Sequence, residues 1–465
     1  MRGAVIGEDS DKRMGGRLNP ARYAHHSEEA YHMLSQRFVF ATFRALLCCR
    51  ELLSFLLKEI DHYCDPSSPK SLNYEHIHSA RKNIDGAVVR TPCWHSQFLS
   101  RAAGCDVYLK MENLQHTGSF KDRGARNMLM CLAADERKKG VVTASAGNFA
   151  RALSYHGKEL GIPVTVVLPR SESLTTVSQC ATFGATVTIE EDNHLESLEA
   201  AVKLIKESGA KFVNGHDNLD VMAGGGTVAC EILEELKDVD AIFVPVLTGG
   251  LLAATVVASK KLSPKTKVIG LETSSCPTLQ LSVAAERPTS AGNHPSFVES
   301  PTVRKAGCNA FHTVREGIDG LVAVKEPYIG AAVTAMLAEE RIVLEGAGAL
   351  GPAAILARSF QGLRGKRVVC ILTGGNIDST VIGRTAEKGL AFDNRLVHLE
   401  VFIPDNPDGF SEFFEIFDGI GSRIVEVRTD TTFNRLDTNS IRCKVVAETN
   451  SIDQMISLNE AVVGR

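Results

Sequence analysis

A single lysine, Lys121, follows a run of small residues in the segment Thr117-Gly118-Ser119-Phe120-Lys121-Asp122-Arg123-Gly124. A lysine held at the start of a helix can form a Schiff base with a carbonyl compound. The structural alternative is that Ser119 and Asp122 form the Ser-x-x-Asp capping box that begins many helices. A cation in the first turn opposes the helix dipole, so a capping box explains Ser119 and Asp122 but not Lys121. Lys121 is therefore the first candidate for a catalytic residue.

Three further turns follow hydrophobic runs: Ser145-Ala146-Gly147 before a helix at Asn148, Leu247-Thr248-Gly249-Gly250, and Thr373-Gly374-Gly375-Asn376. In open α/β sheets ligands gather at the carboxyl ends of the strands, so the three turns are expected to share one pocket. At the second turn, backbone N–H groups could bind a phosphate, or the glycines could serve only the dihedral angles of the turn. A phosphate site beside a reactive lysine favours a phosphate-bearing aldehyde cofactor. No G-x-G-x-x-G sequence follows a strand, which argues against a dinucleotide.

Length and composition limit the class of protein. The 465 residues predict about three domain-sized units of ~150 residues. The net charge of −4 and the lack of a basic block argue against nucleic-acid binding. The twelve cysteines include no C-x-x-C pair, which predicts reduced thiols. Arg44, Arg50 and Glu51 interrupt the longest apolar stretch, residues 38–57, so no membrane span is predicted, and we expect a cytoplasmic protein.

From Asn73 onward, β-branched runs alternate with amphipathic helical stretches. This pattern predicts the α/β class, with helices on both faces of mostly parallel sheets. Strands are predicted at 141–143, 163–168, 186–189, 241–246, 268–271 and 368–372. The predicted units are a catalytic domain at 71–385, with a smaller lobe at about 117–215 inserted in the larger, a linker at 386–394 and a small domain at 395–465. Residues 1–70 form an extension to which the sequence assigns no role.

The small C-terminal unit has a ferredoxin-like pattern. Strands are predicted at 396–403, 423–427 and 441–448, with a short closing helix from Ser451. Phe410, Phe413, Phe414 and Phe417 recur at helical spacing, which predicts a helix that buries an aromatic face.

These motifs resemble, over roughly residues 73–385, the threonine/serine dehydratase and serine racemase branch of the fold-type II pyridoxal-phosphate enzymes. The resemblance is carried by Tyr108-Leu109-Lys110-Met111-Glu112-Asn113-Leu114-Gln115 before the lysine segment, by Ser145 to Asn148, by Ala223-Gly224-Gly225-Gly226-Thr227, and by Thr373 to Asn376. It implies a two-lobe fold, pyridoxal 5'-phosphate (PLP) as cofactor and a homo-oligomer. Residues from 395 resemble an ACT-type regulatory domain without a recognisable final strand. Such a domain implies an amino-acid effector.

The resemblance also implies a role for each motif residue. Lys121 would form the Schiff base with the cofactor and then remove the α-proton of the substrate. The other positions would hold cofactor and substrate: Phe120 beside the ring, Asn148 on the phenolic oxygen, Leu247, Thr248, Gly249 and Gly250 around the phosphate, Thr373 on the pyridine nitrogen, and Ser145, Ala146 and Gly147 at the substrate carboxylate. A neutral hydroxyl on the pyridine nitrogen favours β-elimination. The expected reaction converts L-threonine or L-serine to a 2-oxo acid and ammonia.

Several residues depart from the family pattern. Ala146 stands where racemases have a serine that transfers a proton, which favours a dehydratase. Glu272 matches one carboxylate ligand of the racemase metal site, but Thr278 replaces an acid, so no metal is expected. Leu247 and Thr248 replace two glycines of the phosphate loop, and a leucine at a positive φ would cost about 1–2 kcal/mol.

Smaller departures are Phe149 for a usual histidine, Gly225 for a usual glutamine and Glu299-Ser300-Pro301 for an Ala-Asp-Gly loop. These departures keep two alternatives open. One is a PLP enzyme that catalyses β-replacement or racemisation. The other is a weakly active or non-catalytic protein that binds amino acids.

Overall fold

The computed structural model describes residues 68–463 apart from 146, 191–193, 293–295, 297, 299–304, 316, 361 and 433–437. The sequence predictions for residues 1–67, for Ala146 and for Glu299-Ser300-Pro301 lie outside the described residues.

Helices and strands alternate through most of the described chain. The helices are α1 Tyr74–Ile84, α2 Gln97–Ala103, α3 Lys121–Met130, α4 Ala134–Lys139, α5 Asn148–Leu160, α6 Leu174–Thr182, α7 His194–Ser208, α8 Leu219–Glu235, α9 Gly250–Leu262, α10 Thr278–Ala284, α11 Cys308–Val314, α12 Glu326–Ala335, α13 Leu350–Leu356, α14 Ser379–Phe392, α15 Pro407–Ile420 and α16 Ile452–Val463. The strands are β1 Cys93–His95, β2 Asp106–Lys110, β3 Val141–Thr143, β4 Val164–Pro169, β5 Thr186–Glu190, β6 Lys211–Phe212, β7 Ala241–Pro245, β8 Lys267–Thr273, β9 Gly320–Val324, β10 Arg367–Ile371, β11 Leu396–Pro404, β12 Arg423–Asp430 and β13 Ser440–Glu448. A 3₁₀ turn at Glu112–Leu114 and a π turn at Met336–Glu340 complete these elements.

The larger lobe is built on a sheet with the strand order β1-β2-β10-β7-β8-β9. Its neighbours are parallel except for β1, which runs antiparallel to β2. Alternate residues of β7 enter different cores: Ile242 and Val244 belong to one, Ala241 and Phe243 to the other. Since successive side chains of a strand point to opposite faces, this sheet is covered on both faces, as the α/β prediction requires.

The smaller lobe contains a fully parallel sheet with the order β5-β4-β3-β6. Its strands lie between residues 141 and 212, inside the region predicted for the smaller lobe. Helices α3 and α5 contribute Met128, Leu129, Phe149 and Leu153 to the core of this lobe. Helix α3, which begins at Lys121, therefore packs in the same core as α5, the helix that follows β3.

The C-terminal domain is an antiparallel sheet in the order β11-β13-β12 packed against α15 and α16. Phe413 and Phe417 of α15 are buried against Cys443 and Val445 of β13. The aromatic repeat of the sequence therefore forms part of this core, as predicted.

The sequence predicts a linker at residues 386–394, but the structure extends α14 as far as Phe392. Packing against α12 explains the difference. The hydroxyl of Thr334 donates to the carbonyl of Thr385 at 3.3 Å, and the rings of Tyr328 and Phe392 lie 5.0 Å apart. The link between α14 and β11 is consequently reduced to residues 393–395.

Among the described helices, none is long and apolar enough to cross a membrane. The described cysteines are free thiols, and most of them are buried.

Candidate active site

Eight of the predicted site residues line an open cavity of about 780 Å³, a volume that includes its mouth, whereas Ser145 and Gly147 are not part of its lining. Lys121 and Phe120 of the lysine segment, Asn148, all four residues Leu247–Gly250 and Thr373 line this cavity. The carboxyl ends of β3, β7 and β10 thus supply one common site.

Helix α3 begins at Lys121 itself, with Phe120 as its N-cap and no side-chain cap. The capping box suggested by the sequence does not form. Ser119 Oγ is buried without a hydrogen-bond partner, and the Asp122 carboxylate instead accepts hydrogen bonds from the backbone N–H, at 3.0 Å, and the hydroxyl of Thr117. Asp122 therefore closes the turn before the helix and leaves Lys121 to point into the cavity.

The amine of Lys121 is held in a largely apolar environment. Its Nζ donates to the carbonyl of Gly215 at 2.8 Å and lies 5.2 Å from the ring centre of Phe120 and 5.8 Å from that of Phe149. Burial lowers the pKa of Lys121 to about 8, against an opposing effect of the Glu345 carboxylate. A substantial neutral fraction is therefore available near pH 8, and the neutral amine is the nucleophilic form.

The turn that carries Thr373 is hydrogen-bonded to the lysine segment. The N–H of Phe120 donates to the carbonyl of Thr373 at 3.0 Å, and the N–H of Gly375 donates to the carbonyl of Gly118 at 3.0 Å. Gly118 has a φ of +80°, and a Cβ at this position would lie 2.6 Å from Asn376 Oδ1. Glycine is required here because the two segments approach closely.

Asn148 is fixed by two long-range contacts. Its Nδ2 donates to both oxygens of Glu345 at 2.8 and 2.9 Å, and its Oδ1 accepts a hydrogen bond from Asn376 Nδ2 at 2.8 Å. Burial raises the pKa of Glu345, while the Asn148 amide, Arg151 and Lys121 oppose that effect. Sequence reasoning missed Glu345, because the short stretch Glu345-Gly346-Ala347-Gly348 carries no signal beyond its glycines.

The loop at Leu247–Gly250, which the sequence analysis expects to bind the phosphate of the cofactor, does not have the backbone strain that was expected for Leu247. Of its four residues only Gly249 has a positive φ, +95°, so the cost expected for a leucine in that conformation does not arise. The carbonyl of Leu247 accepts a hydrogen bond from the Thr278 hydroxyl at 3.0 Å, and the carbonyl of Thr248 accepts one from the N–H of Gly307 at 2.9 Å. The loop is therefore held by its carbonyl groups while helix α9 begins at Gly250.

Two buried hydroxyls of the site have no hydrogen-bond partner within the protein: Thr373 Oγ1 and Ser145 Oγ. A buried polar group without a partner costs free energy, so such groups commonly serve a ligand. Next to Ser145, Gly147 is the N-cap of α5, and no side chain caps this helix start. The cavity thus presents one hydroxyl without a protein partner, that of Thr373, whereas Ser145 is not part of the cavity lining.

The sequence matches the family described as pyridoxal-phosphate dependent enzyme over residues 84–374. The chain belongs to this family.

Curated relatives agree with the family match. The chain is 38% identical over 356 residues to the L-threonine ammonia-lyase of Thermotoga maritima, which covers 77% of this chain and 88% of the relative. It is 34% identical over 303 residues to the catabolic L-threonine dehydratase TdcB of Escherichia coli K12, or 65% of this chain and 92% of the relative.

Solved structures give the same fold. Serine racemase from Dictyostelium discoideum has a TM-score of 0.63 at 33% identity and covers 66% of this chain and 99% of its own. The processed form of threonine deaminase isoform 2 from Solanum lycopersicum has a TM-score of 0.63 at 29% identity. The match covers 69% of this chain and 90% of that structure.

The cofactor of this pyridoxal-phosphate enzyme is PLP, and the cavity fits it. A neutral donor or acceptor for the pyridine nitrogen exists at Thr373 Oγ1, which has no other partner. An amine suited to a Schiff base exists at Lys121, and a helix start with one positive-φ glycine exists at Gly249. Phe120 lies on the wall of the same cavity.

Glu272, which matches a racemase metal ligand by position, has another role in this enzyme. Its carboxylate accepts hydrogen bonds from the N–H groups of Leu279 at 2.6 Å and Gln280 at 2.9 Å, and from the Thr278 hydroxyl at 3.3 Å. Among the residues that the structure describes, no group of three or more His, Cys, Asp or Glu side chains is arranged to hold a metal ion. Glu272 binds the start of α10 instead.

Proposed function

We propose that this enzyme is an ammonia-lyase that converts L-threonine or L-serine to a 2-oxo acid and ammonia. The observation that carries the proposal is the environment of Lys121: an amine with a lowered pKa that faces a cavity with a free neutral hydroxyl, Thr373 Oγ1. The names of the relatives, L-threonine ammonia-lyase and L-threonine dehydratase, support the substrate class.

The bound cofactor supplies an electron sink that stabilises negative charge at the substrate Cα. Lys121 Nζ would take the proton from this carbon, because its lowered pKa leaves it a base near neutral pH. Phe120 and Asn148 would hold the cofactor ring in place.

The substrate carboxylate would bind at the start of α5. Ser145 Oγ is buried and lacks a partner there, and the N–H groups that begin a helix favour an anion. Gly147 and Ala146 belong to the same turn in the sequence. In this arrangement Lys121 and the carboxylate site orient the Cα–H bond between them.

Elimination is preferred over racemisation for two reasons. Thr373 would offer the pyridine nitrogen a hydroxyl rather than a carboxylate, a weaker electron sink that would favour loss of the β-hydroxyl over a long-lived carbanion. Ala146 also has no proton to transfer to the opposite face of Cα. Racemisation is the second candidate, because one of the similar solved structures is a serine racemase.

The C-terminal domain is proposed to bind an amino-acid effector. Its fold, β11-α15-β12-β13-α16, is compatible with an ACT-like domain. We further propose a homo-oligomer that acts in the cytoplasm.

An absorption spectrum of the purified protein, taken before and after addition of L-threonine, tests the function. A visible Schiff-base band that changes on addition, together with release of a 2-oxo acid, is the expected result. Lys121→Ala should lose both the band and the product. Bound cofactor without any 2-oxo acid from either amino acid would reject the ammonia-lyase, and chiral chromatography would then detect a racemase.

A further inference from the structure

The phosphate loop has lost two glycines, at Leu247 and Thr248, and the structure places a histidine against it. We propose that the imidazole of His216 binds the phosphate of the cofactor together with the backbone N–H groups of the loop. This inference concerns cofactor binding and does not depend on which amino acid the enzyme deaminates.

Backbone contacts hold His216 beside the loop. The hydroxyl of Thr248 donates to the carbonyl of His216 at 3.1 Å. A Cβ at Gly250 would lie 3.1 Å from the same carbonyl, so the first residue of α9 also packs against it. His216 lines the same cavity as Leu247, Thr248 and Gly250.

Hydrogen bonds hold the backbone of His216 and the side chain of the next residue, Asp217, in place. The N–H of His216 donates to Asn214 Oδ1 at 2.9 Å. The next residue, Asp217, accepts hydrogen bonds from the N–H groups of Asn309 at 3.0 Å and Ala310 at 2.9 Å, at the start of α11. A side chain on a segment held in this way loses little freedom when it binds a ligand.

The charges around the cavity favour the same assignment. Within the described lining, the side chains that ionise as acids or bases are Lys121, His216 and Glu345. Lys121 would be engaged by the aldehyde of the cofactor, and the carboxyl group of Glu345 accepts hydrogen bonds from Asn148. His216 is the other basic side chain of this lining, and an imidazole N–H donates a strong hydrogen bond to a charged phosphate.

The substitutions in the loop explain why such a group is useful. The side chain of Leu247 has no polar atom, and the proton of the Thr248 hydroxyl is used by the His216 carbonyl. Neither replacement adds a donor for the phosphate. His216 supplies one from the neighbouring segment, which already holds Lys121 through the Gly215 carbonyl.

The test compares cofactors with and without a phosphate. Apoprotein of the wild type, His216→Phe and His216→Asn is titrated with PLP and with pyridoxal, and the Schiff-base band reports binding. His312→Phe is the matched control, because His312 lies on α11 outside the cavity lining. The ³¹P NMR shift of the bound cofactor gives a second measurement that needs no turnover.

His216→Phe should weaken PLP binding about 10- to 100-fold and leave pyridoxal binding unchanged, since a hydrogen bond to a charged group contributes roughly 1.5–3 kcal/mol. His216→Asn should weaken PLP binding less, because its amide still donates. The ³¹P shift should change in both variants and not in His312→Phe. Equal weakening for PLP and pyridoxal, or unchanged PLP binding with an unchanged ³¹P shift, would overturn the proposal. These results do not involve threonine, so a failed ammonia-lyase assay leaves them intact.

Discussion

The amide of Asn148 donates to both carboxylate oxygens of Glu345, at 2.8 and 2.9 Å, across the cavity that Lys121 lines. The backbone N–H of Glu345 in turn donates to the carbonyl of Gly374 at 3.1 Å. This pair links the helix start of the smaller lobe to the Thr373 turn of the larger lobe. It also places a carboxylate close enough to influence the Lys121 amine.

Glu345→Gln should lower the pKa of Lys121, because the carboxylate stabilises the charged amine. The neutral amine attacks the cofactor aldehyde, so the rate of Schiff-base formation in the apoprotein should rise with pH and level off above about pH 8. Without the Glu345 charge the midpoint moves to lower pH. Stopped-flow absorbance over a pH series measures it, with the exposed Glu339→Gln as control. A midpoint that is unmoved or higher contradicts the assignment.

Thr373→Val should affect the cofactor more than the fold. Thr373 Oγ1 has no partner in the protein, so its removal should leave apoprotein stability unchanged or slightly raised. PLP affinity should fall about five- to tenfold, the value of one hydrogen bond of about 1 kcal/mol.

Thr143→Val is the matched control for this substitution. Its hydroxyl donates to the Val213 carbonyl at 2.9 Å, and its loss should destabilise the apoprotein by about 1 kcal/mol. Urea unfolding and PLP titration of both variants provide the measurement. A clear loss of apoprotein stability in Thr373→Val would show that the hydroxyl has a structural role.

Gly118→Ala should lower the free energy of unfolding by more than backbone strain alone, because the new Cβ would also meet Asn376. Gly86→Ala is the matched control, because Gly86 has a φ of +68° but open space around its Cβ position, whereas a Cβ at Gly118 meets Asn376. Both variants should lose about 1–2 kcal/mol of stability. Gly118→Ala should lose further stability and also PLP affinity, because Asn376 supports Asn148. Equal effects in the two variants would argue against a close approach at Gly118.

Arg123→Met should destabilise the protein strongly. Arg123 is fully buried and donates to Glu112 at 2.7 and 2.8 Å and to Glu231 at 2.6 and 2.8 Å. Its removal deprives the buried carboxylates of Glu112 and Glu231 of a positive partner, which should lower the free energy of unfolding by about 3–5 kcal/mol. The more exposed pair Lys260 and Asp319 gives the control, and Lys260→Met should cost at most about 1 kcal/mol. Urea midpoints of the two variants are compared, and similar values would contradict the prediction.

Residue types and spacing were sufficient to predict six strands of the two mostly parallel sheets. Strands β3, β4, β5, β7, β8 and β10 lie within one to two residues of their predicted bounds. Their β-branched runs are distinctive because both faces of a parallel sheet are covered. Among the unpredicted strands, β1 has three residues and β6 has two, and β2 begins and ends with the charged residues Asp106 and Lys110, so their sequence patterns are weak. The linker at 386–394 was misassigned because its packing partner, α12, is distant in sequence.

The sequence by itself determined which groups are available: an amine at Lys121, glycine turns after buried strands, and hydroxyls at Ser145 and Thr373. The tertiary structure alone decided which of them meet. Glu345 and Asn148 are 197 positions apart, Lys121 and Gly215 are 94 apart, and Thr248 and His216 are 32 apart. Local propensity determines turns and helices, but a hydrogen bond between such distant residues depends on how whole lobes pack. For the same reason the loop geometry, with only Gly249 at a positive φ, became evident only in the fold.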